Sequence, residues 1–498
     1  MSVSPNGVHK TAFDGLPLKS IREKKGYHWY VVGTVCIGAF MAALDASIIN
    51  IALPTMKRDF AVPMHIVEWV SLVYLLTLAA LIVPFGRLAD MLGRRWMYSI
   101  GFSVFIVGSL LCGISPSMSF LLGSRVLQAV GAAMLQANSV SIITAATPAS
   151  DRGKAIGIQA SAQGIGLSLG PAVGGALISL LNWRWIFFVN LPVGVIGTTL
   201  GILFLPKDEK PTQREHFDLA GAIILAPALI ALIYFLNMGL KSGWGSPVMI
   251  ATYVIFLVCM IVFLRLEAKR KAPMVDLRLF RDWTFSIGNL TGILSFAVMY
   301  AVLFLSPFYL DNVQRMNSLA AGLYLTVIPI GMTLLTPVSG MVADKWGTRL
   351  PTMMGMIAVA LGCAALMTLG AKFAVLPLIV GLFLVGAGLG IFTPPNNSSV
   401  MGSAPNNKLG VAGGILNMSR TLGMGLGVTL GGLCYQLFLT IEGVANENKA
   451  SVAHMVMAFR MSFITVGCVA LVTFLLVSIR PGRTNQQGGG ATPKVLDL

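Results

Sequence analysis

Asp45 and Arg125 are charged residues set inside long apolar runs. Asp45 lies in Leu44-Asp-Ala-Ser-Ile-Ile-Asn-Ile-Ala-Leu-Pro54 and is the only acid deep in any such run, since Glu68 and Asp311 stand nearer the ends of theirs. If the runs cross a bilayer, a buried charge of this kind costs about 2.5–3.5 kcal/mol on insertion scales. It then needs a partner or a proton, and Arg125 is the obvious partner. At 1.5 Å per residue, both side chains come to lie roughly 9–12 Å below the outer edge. A carboxylate beside a guanidinium stays ionised, whereas one desolvated without it takes up a proton. Two such charges, brought together and parted, would load and release a proton. Held together permanently, they would only join two helices.

A second, neutral set occupies the same runs. Gln128, Gln136, Asn138, Gln159 and Gln163 put a polar stripe on the fourth and fifth runs, and Asn289, Tyr300 and Tyr324 are candidates to face it from later in the chain. Polar groups within spans usually face a bundle interior. With Asp45 and Tyr74, the residues Gln128, Gln136, Gln159, Gln163, Asn289, Tyr300 and Tyr324 form the candidate substrate-binding set. Hydrogen bonding between helices is the alternative for each, and an aromatic belt at the membrane edge is the alternative for Tyr74 and the stronger reading for Trp69. Arg420 fits either an anion or a backbone carbonyl.

Other chemistries lack their residues. There is no Gly-x-x-x-x-Gly-Lys-Ser/Thr loop for ATP and no His-Glu-x-x-His, and none of the five histidines lies mid-run. Gly386-Ala-Gly388-Leu-Gly390 lacks dinucleotide spacing, and Gly166-Leu-Ser168-Leu-Gly170 lacks the strand-to-helix turn a hydrolase nucleophile needs, so both read as close packing. The six cysteines lie in apolar runs without paired spacing and read as small hydrophobes. No cofactor and no metal is expected, and an ion gradient, that of protons, is the expected energy source.

Positioning these residues requires long helices. The chain is 56% hydrophobic and 11% charged, with a mean hydropathy of +0.80. Soluble domains carry about 25% charged residues, so most of this chain must lie in lipid. A span takes about 20 mostly apolar residues. That rule predicts fourteen, near 28–53, 66–86, 96–113, 119–143, 155–180, 185–205, 218–238, 247–266, 284–309, 319–340, 352–370, 374–396, 409–437 and 457–479.

Gly86-Arg-Leu-Ala-Asp-Met-Leu-Gly-Arg-Arg95 returns as Gly340-Met-Val-Ala-Asp-Lys-Trp-Gly-Thr-Arg349, each copy joining two apolar runs. The repeat predicts two related halves. The expected fold is all-α and integral to the membrane, with two pseudo-symmetric six-helix bundles and two extra central helices. The expected division is a cytoplasmic tail at 1–27, a first bundle at 28–205, two extra helices and a cytoplasmic linker at 206–283, a second bundle at 284–480 and a disordered cytoplasmic tail at 481–498. Lys and Arg outnumber Asp and Glu by 35 to 19. Most of that base falls on one side once the N-terminus is placed inside, as the positive-inside rule requires. The excess therefore orients a multi-pass protein in a cell (inner) membrane, both termini cytoplasmic, and nucleic acid is not an expected partner. The polar opening gives no expectation of a cleaved signal peptide.

The first repeated loop resembles the signature between the second and third helices of the major facilitator superfamily of secondary transporters. The second copy keeps Gly340, Asp344, Gly347 and Arg349 but carries Lys345 and Trp346 in the middle. Arg125-Val-Leu-Gln-Ala-Val-Gly131-Ala-Ala133 resembles that superfamily's fourth-helix motif, with Ala129 where glycine is common. Gly164-Ile-Gly-Leu-Ser-Leu-Gly170-Pro171-Ala-Val-Gly174-Gly175 is similar to the fifth-helix motif of its exporters. Trp183-Arg-Trp-Ile-Phe-Phe-Val-Asn190-Leu-Pro192-Val-Gly194 is similar to the start of the sixth helix in its fourteen-span drug exporters. In the second half the resemblance rests on 340–349, Pro394-Pro-Asn-Asn397 and Asn417-Met-Ser-Arg420.

The resemblance implies a fourteen-span drug:proton antiporter exporting lipophilic cations, dyes or antibiotics, with Asp45 and Arg125 as its proton-coupling pair. It implies gating by Gly86, Arg87, Asp90, Gly93, Arg94, Arg95, Asp344, Arg349, Gly170 and Pro171, with Asp90 contacting the neighbouring half to lock the outward-facing state. Its expected partners are a small molecule, protons and the bilayer. A periplasmic adaptor, used by similar proteins of double-membrane bacteria, is neither required nor forbidden by the short outer loops. One alternative keeps the fold and carries a specific metabolite, siderophore or lipid. A more distant one, a membrane-embedded enzyme or partner scaffold, lacks the clustered acids or histidines that such catalysis needs.

Overall fold

The computed structural model describes residues 26–148, 151–206, 219–270, 273, 275–405, 408–444 and 450–480. The expected cytoplasmic tails, 1–27 for all but its last two residues and 481–498 entirely, lie outside them. The described residues contain fourteen helices long and apolar enough to cross a membrane. They are α1 Tyr27–Asp59, α2 Met64–Ala89, α3 Arg94–Gly113, α4 Met118–Ala146, α5 Lys154–Leu180, α6 Trp185–Phe204 and α7 Ile223–Ser242. The remaining seven are α8 Pro247–Lys269, α9 Trp283–Asn312, α10 Ser318–Ala343, α11 Arg349–Leu366, α12 Val375–Ser403, α13 Val411–Ile441 and α14 Val452–Ser478. The number of spans is as expected. The largest difference is in α12, which ends at Ser403, seven residues past its expected end; α1 ends six residues past its own and carries Pro54 inside it. Lys57 and Arg58 in its last turn complement the negative end of the helix dipole, which explains the extension.

The packing repeats itself. In the first half α1 lies along α5, α2 and α3 along α4, and α6 against α3 and α1; in the second half α9 lies along α13, α10 and α11 along α12, and α14 against α11 and α9. The two repeated loops end alike. Gly93 and Gly347 both take positive φ, +108° and +76°, which a side chain would strain. Arg95, two residues beyond the first, donates to the Ile202 carbonyl at 2.6 Å, near the end of α6. Arg349, two beyond the second, donates to the Ser478 carbonyl at the end of α14. Each arginine thus ties its loop to the last helix of its own bundle.

The halves meet mainly through α2 with α13 and α5 with α10, and α7 packs on both α2 and α13. Small residues permit the approach. A Cβ on Gly322 would lie 2.2 Å from the Pro171 carbonyl oxygen, and one on Gly175 2.4 Å from that of Ser318. These contacts lie at the face that carries Asp59 and Asp311. There Arg58 pairs with Asp311, and Leu319 N–H donates to Ser179 Oγ at 3.0 Å, both across the seam. Toward the opposite face, a Cβ on Gly164 would find its nearest neighbour, Thr333, at 3.7 Å, and Gly157 and Gly340 face open space. Between α5 and α10 the seam is closed at the first face and looser at the second, where a Cβ on Gly414 of α13 would still meet Val83 of α2 at 3.5 Å.

Candidate functional site

Five helices of the first bundle converge on Asp45. Its side chain and that of Arg125 are fully buried and form an ion pair at 2.8 Å between Arg125 Nη1 and Asp45 Oδ2. Gln128 Nε2 and Asn190 Nδ2 donate to Asp45 Oδ1 at 2.8 and 3.1 Å. Three residues separate Arg125 and Gln128, so both project from one face of α4. Arg125 Nη1 also donates to Gln128 Oε1 at 2.6 Å, and Arg125 Nε to the Val70 carbonyl at 3.1 Å. Gln128 Nε2 reaches Ser109 Oγ on α3 at 2.7 Å. The guanidinium lies over the Tyr74 ring, 4.2 Å from its centroid, with Phe187 at 5.7 Å.

Every contact of the Asp45 carboxylate among the described residues is with a donor. Arg125 Nη2, by contrast, is buried without a hydrogen-bond partner, as is the Tyr74 hydroxyl. Buried polar groups seldom stay unpaired, so the site has capacity for water, a proton carrier or a substrate group.

The sequence brought forward Asp45, Arg125, Gln128 and Tyr74, and the structure joins all four. It did not single out Asn190, Ser109, Val70 or Phe187. Asn190 was visible as a polar residue within an apolar motif; Val70 contributes only a backbone carbonyl, which no sequence pattern marks.

The other candidate binding residues are dispersed. Gln136, Gln159 and Gln163 are half-buried on α4 and α5, without side-chain hydrogen bonds among the described residues. Asn289 is buried and already occupied, donating to the Phe285 carbonyl at 2.9 Å and accepting from Ser419 Oγ at 3.1 Å, so it links α9 to α13. Tyr324 packs its ring against Phe373 at 5.7 Å. Tyr300 on α9 is buried with its hydroxyl unpartnered.

Among the gating candidates, Gly170 marks the tightest crossing: a Cβ there would lie 1.8 Å from Ser47 Oγ on α1. Gly166 and Gly174, one turn to either side, press equally on Phe40 and Ile48. Pro171 follows at once and packs its carbonyl against Gly322 of the other half. The glycine motif therefore serves two contacts, one inside the bundle and one across the seam. Gly86, Arg87 and Arg94 lie at the looser face, with Gly86 nearest the Ala137 carbonyl. The side chains of Asp90 and Asp344 lie outside the described residues.

Residues 35–428 match the Major Facilitator Superfamily. The riboflavin transporter RibZ of Clostridioides difficile (strain 630) is 35% identical over 448 residues, covering 90% of this chain and 96% of that protein. The multidrug resistance protein Stp of Mycobacterium tuberculosis (strain ATCC 25618 / H37Rv) is 34% identical over 409 residues, 82% of this chain and 76% of that one. Among solved structures, a POT family transporter in complex with a thioalcohol-conjugated peptide superposes with a TM-score of 0.68 at 15% identity, over 94% of this chain and 99% of that one. A bacterial homolog of the human lysosomal transporter Spinster, inward-facing and unoccupied, gives 0.64 at 16% identity, over 91% and 98%. At such identities the structures attest the fold; the family match and the relatives make this chain a multi-pass transporter, not an enzyme, of the Major Facilitator Superfamily.

Proposed function

We propose that the protein is a proton-coupled exporter of small, lipophilic organic molecules working by alternating access in the cell (inner) membrane. The observation that carries the reading is the fully buried Asp45–Arg125 pair with its Gln128 and Asn190 donors. Desolvated charges in a bilayer are costly to keep and usually serve ion or proton movement. In this mechanism a proton reaching Asp45 cancels its charge, weakens its hold on Arg125, Gln128 and Asn190, and frees α1 and α4 to shift. The Arg58–Asp311 pair and the α5–α10 contact would then part while the opposite face closes. Under the positive-inside orientation, with both termini cytoplasmic, the looser face is cytoplasmic and this is the loading state of an exporter. Asp90 and Asp344, with the arginines of their loops, would close that face by reaching the neighbouring half. The α5 glycine motif and the drug-resistance relatives, Stp among them, support export of toxic compounds.

A second reading is favoured by one relative. RibZ, named as a riboflavin transporter, aligns over 96% of its length, so a specific planar metabolite such as riboflavin is an alternative cargo.

Both are tested in inside-out vesicles carrying an established proton gradient, to which dyes, antibiotics and riboflavin are added in turn. Dissipation with the wild type and not with Asp45→Asn identifies antiport and its substrate together. Substrate accumulation that persists after the gradient is collapsed would sink proton coupling.

A further inference from the structure

A second buried charge site lies in the other bundle, and unlike the first it has no acid. A cavity of about 20 Å³ between α9, α12 and α13 is lined by Phe296, Thr393, Asn396, Asn397, Asn417 and Arg420, among others. That volume holds a water or a carboxylate-sized group. Arg420 makes no ion pair or hydrogen bond among the described residues; its Nε is buried and unpartnered, and its recorded contact is the Phe296 ring at 5.7 Å. Thr393 Oγ1 is likewise buried and unpartnered. Asn396 cannot serve as counter-group, because its amide donates to the Gly288 carbonyl at 2.9 Å and accepts from Arg480 Nη1 at 2.9 Å. Arg480, just past the end of α14, thus holds Asn396 from outside the lining, and its Nη2 is also buried without a partner.

A guanidinium, amide and hydroxyl donors, and no carboxylate among the lining residues make a site of positive potential within the span. A cation held at membrane depth calls for an anion or a water-filled cavity, and a guanidinium matches the planar fork of a carboxylate. From this geometry we infer that the Arg420 cavity is a subsite for the anionic end of the cargo, and that carboxylate-bearing aromatic compounds belong to its substrate class. Phe296, beside the guanidinium, supplies the aromatic contact. The cavity is too small for a whole drug, so the body of the molecule lies outside it. The inference rests on the transport reading and narrows its cargo.

The test is equilibrium binding in lipid nanodiscs, without any ion gradient, using three fluorescent probes of one scaffold: pyrene-1-carboxylate, pyrene-1-carboxamide and pyrene-1-methylammonium. The wild type is expected to bind the carboxylate about tenfold or more tighter than the amide, the scale of one charge-assisted hydrogen bond. Arg420→Gln should abolish that preference and leave amide affinity within about twofold, while Arg420→Lys keeps part of it. Should Arg420→Gln fail to fold, Asn417→Asp, which sets a carboxylate three residues away on the same helix face, must abolish the preference by occupying Arg420. No preference in the wild type, or equal loss of carboxylate and amide binding in Arg420→Gln, overturns the subsite. Because no gradient is used, loss of the preference alongside working antiport removes only the subsite. An intact preference without proton movement removes only the coupling.

Discussion

The Tyr74 ring lies 4.2 Å from the Arg125 guanidinium while its own hydroxyl is buried without a partner. Ring and hydroxyl therefore contribute in opposite directions. Tyr74→Phe keeps the cation–π face and removes an unsatisfied polar atom, so its thermal unfolding midpoint should match or exceed the wild type. Tyr74→Leu loses the face, worth about 2 kcal/mol when desolvated, and should unfold earlier. Equal destabilisation by both would show that the hydroxyl, through an ordered water, carries the contact.

At Asp45 the expected cost is larger and has a distinctive rescue. Asp45→Asn leaves Arg125 buried beside a neutral amide, and breaking a buried pair on one side costs about 3–5 kcal/mol. Proton-coupled efflux should be lost. The double variant Asp45→Asn/Arg125→Gln should recover most of the stability and none of the transport. A double variant that still moves protons would take the pair out of the coupling role.

The closed face offers two contacts of unequal strength. Arg58 is 58% exposed, so its pair with Asp311 is worth about 0.2–1 kcal/mol, and Asp311→Asn should widen that face only slightly. Gly322→Ala drives a methyl against the Pro171 backbone, where overpacking costs about 1–3 kcal/mol. Spin labels at Leu180 and Leu319 should report a larger open population for Gly322→Ala than for Asp311→Asn. The reverse order would place the gate in the ion pair.

Outside the spans, Asp276 between α8 and α9 pairs with Lys408 and accepts from Arg278 N–H at 3.0 Å. Burial raises its carboxyl, but the Lys408 ammonium and the Arg278 N–H outweigh that and hold it below the ordinary carboxylate value. A depressed folded-state value adds stability above the unfolded value, about 3.9, and that stability is lost as pH falls through the depressed one. Asp276→Asn should therefore unfold earlier than wild type at neutral pH, with the difference vanishing in acid. A difference that persists in acid would mean the amide disrupts packing, not charge.

The sequence alone determined the all-helical membrane class, the fourteen spans and the two related halves, because lipid imposes span length and apolarity residue by residue, and the repeated loop marks the duplication locally. It also paired Asp45 with Arg125, since depth along two helices is simple arithmetic from helix rise. What it could not determine was lateral geometry. Arg420 read equally as an anion site or a carbonyl partner, Asn289 equally as a cavity wall or a link between helices, and Asn190 as one letter of a motif. Rotation about the helix axis decides among these, and rotation depends on which glycines admit which neighbours: Gly170 against Ser47, Gly322 against Pro171. Only the packed bundle turned Asn289 toward Ser419, brought Asn190 to the Asp45 carboxylate and left Arg420 facing an acid-free cavity, because those contacts join helices far apart in the chain.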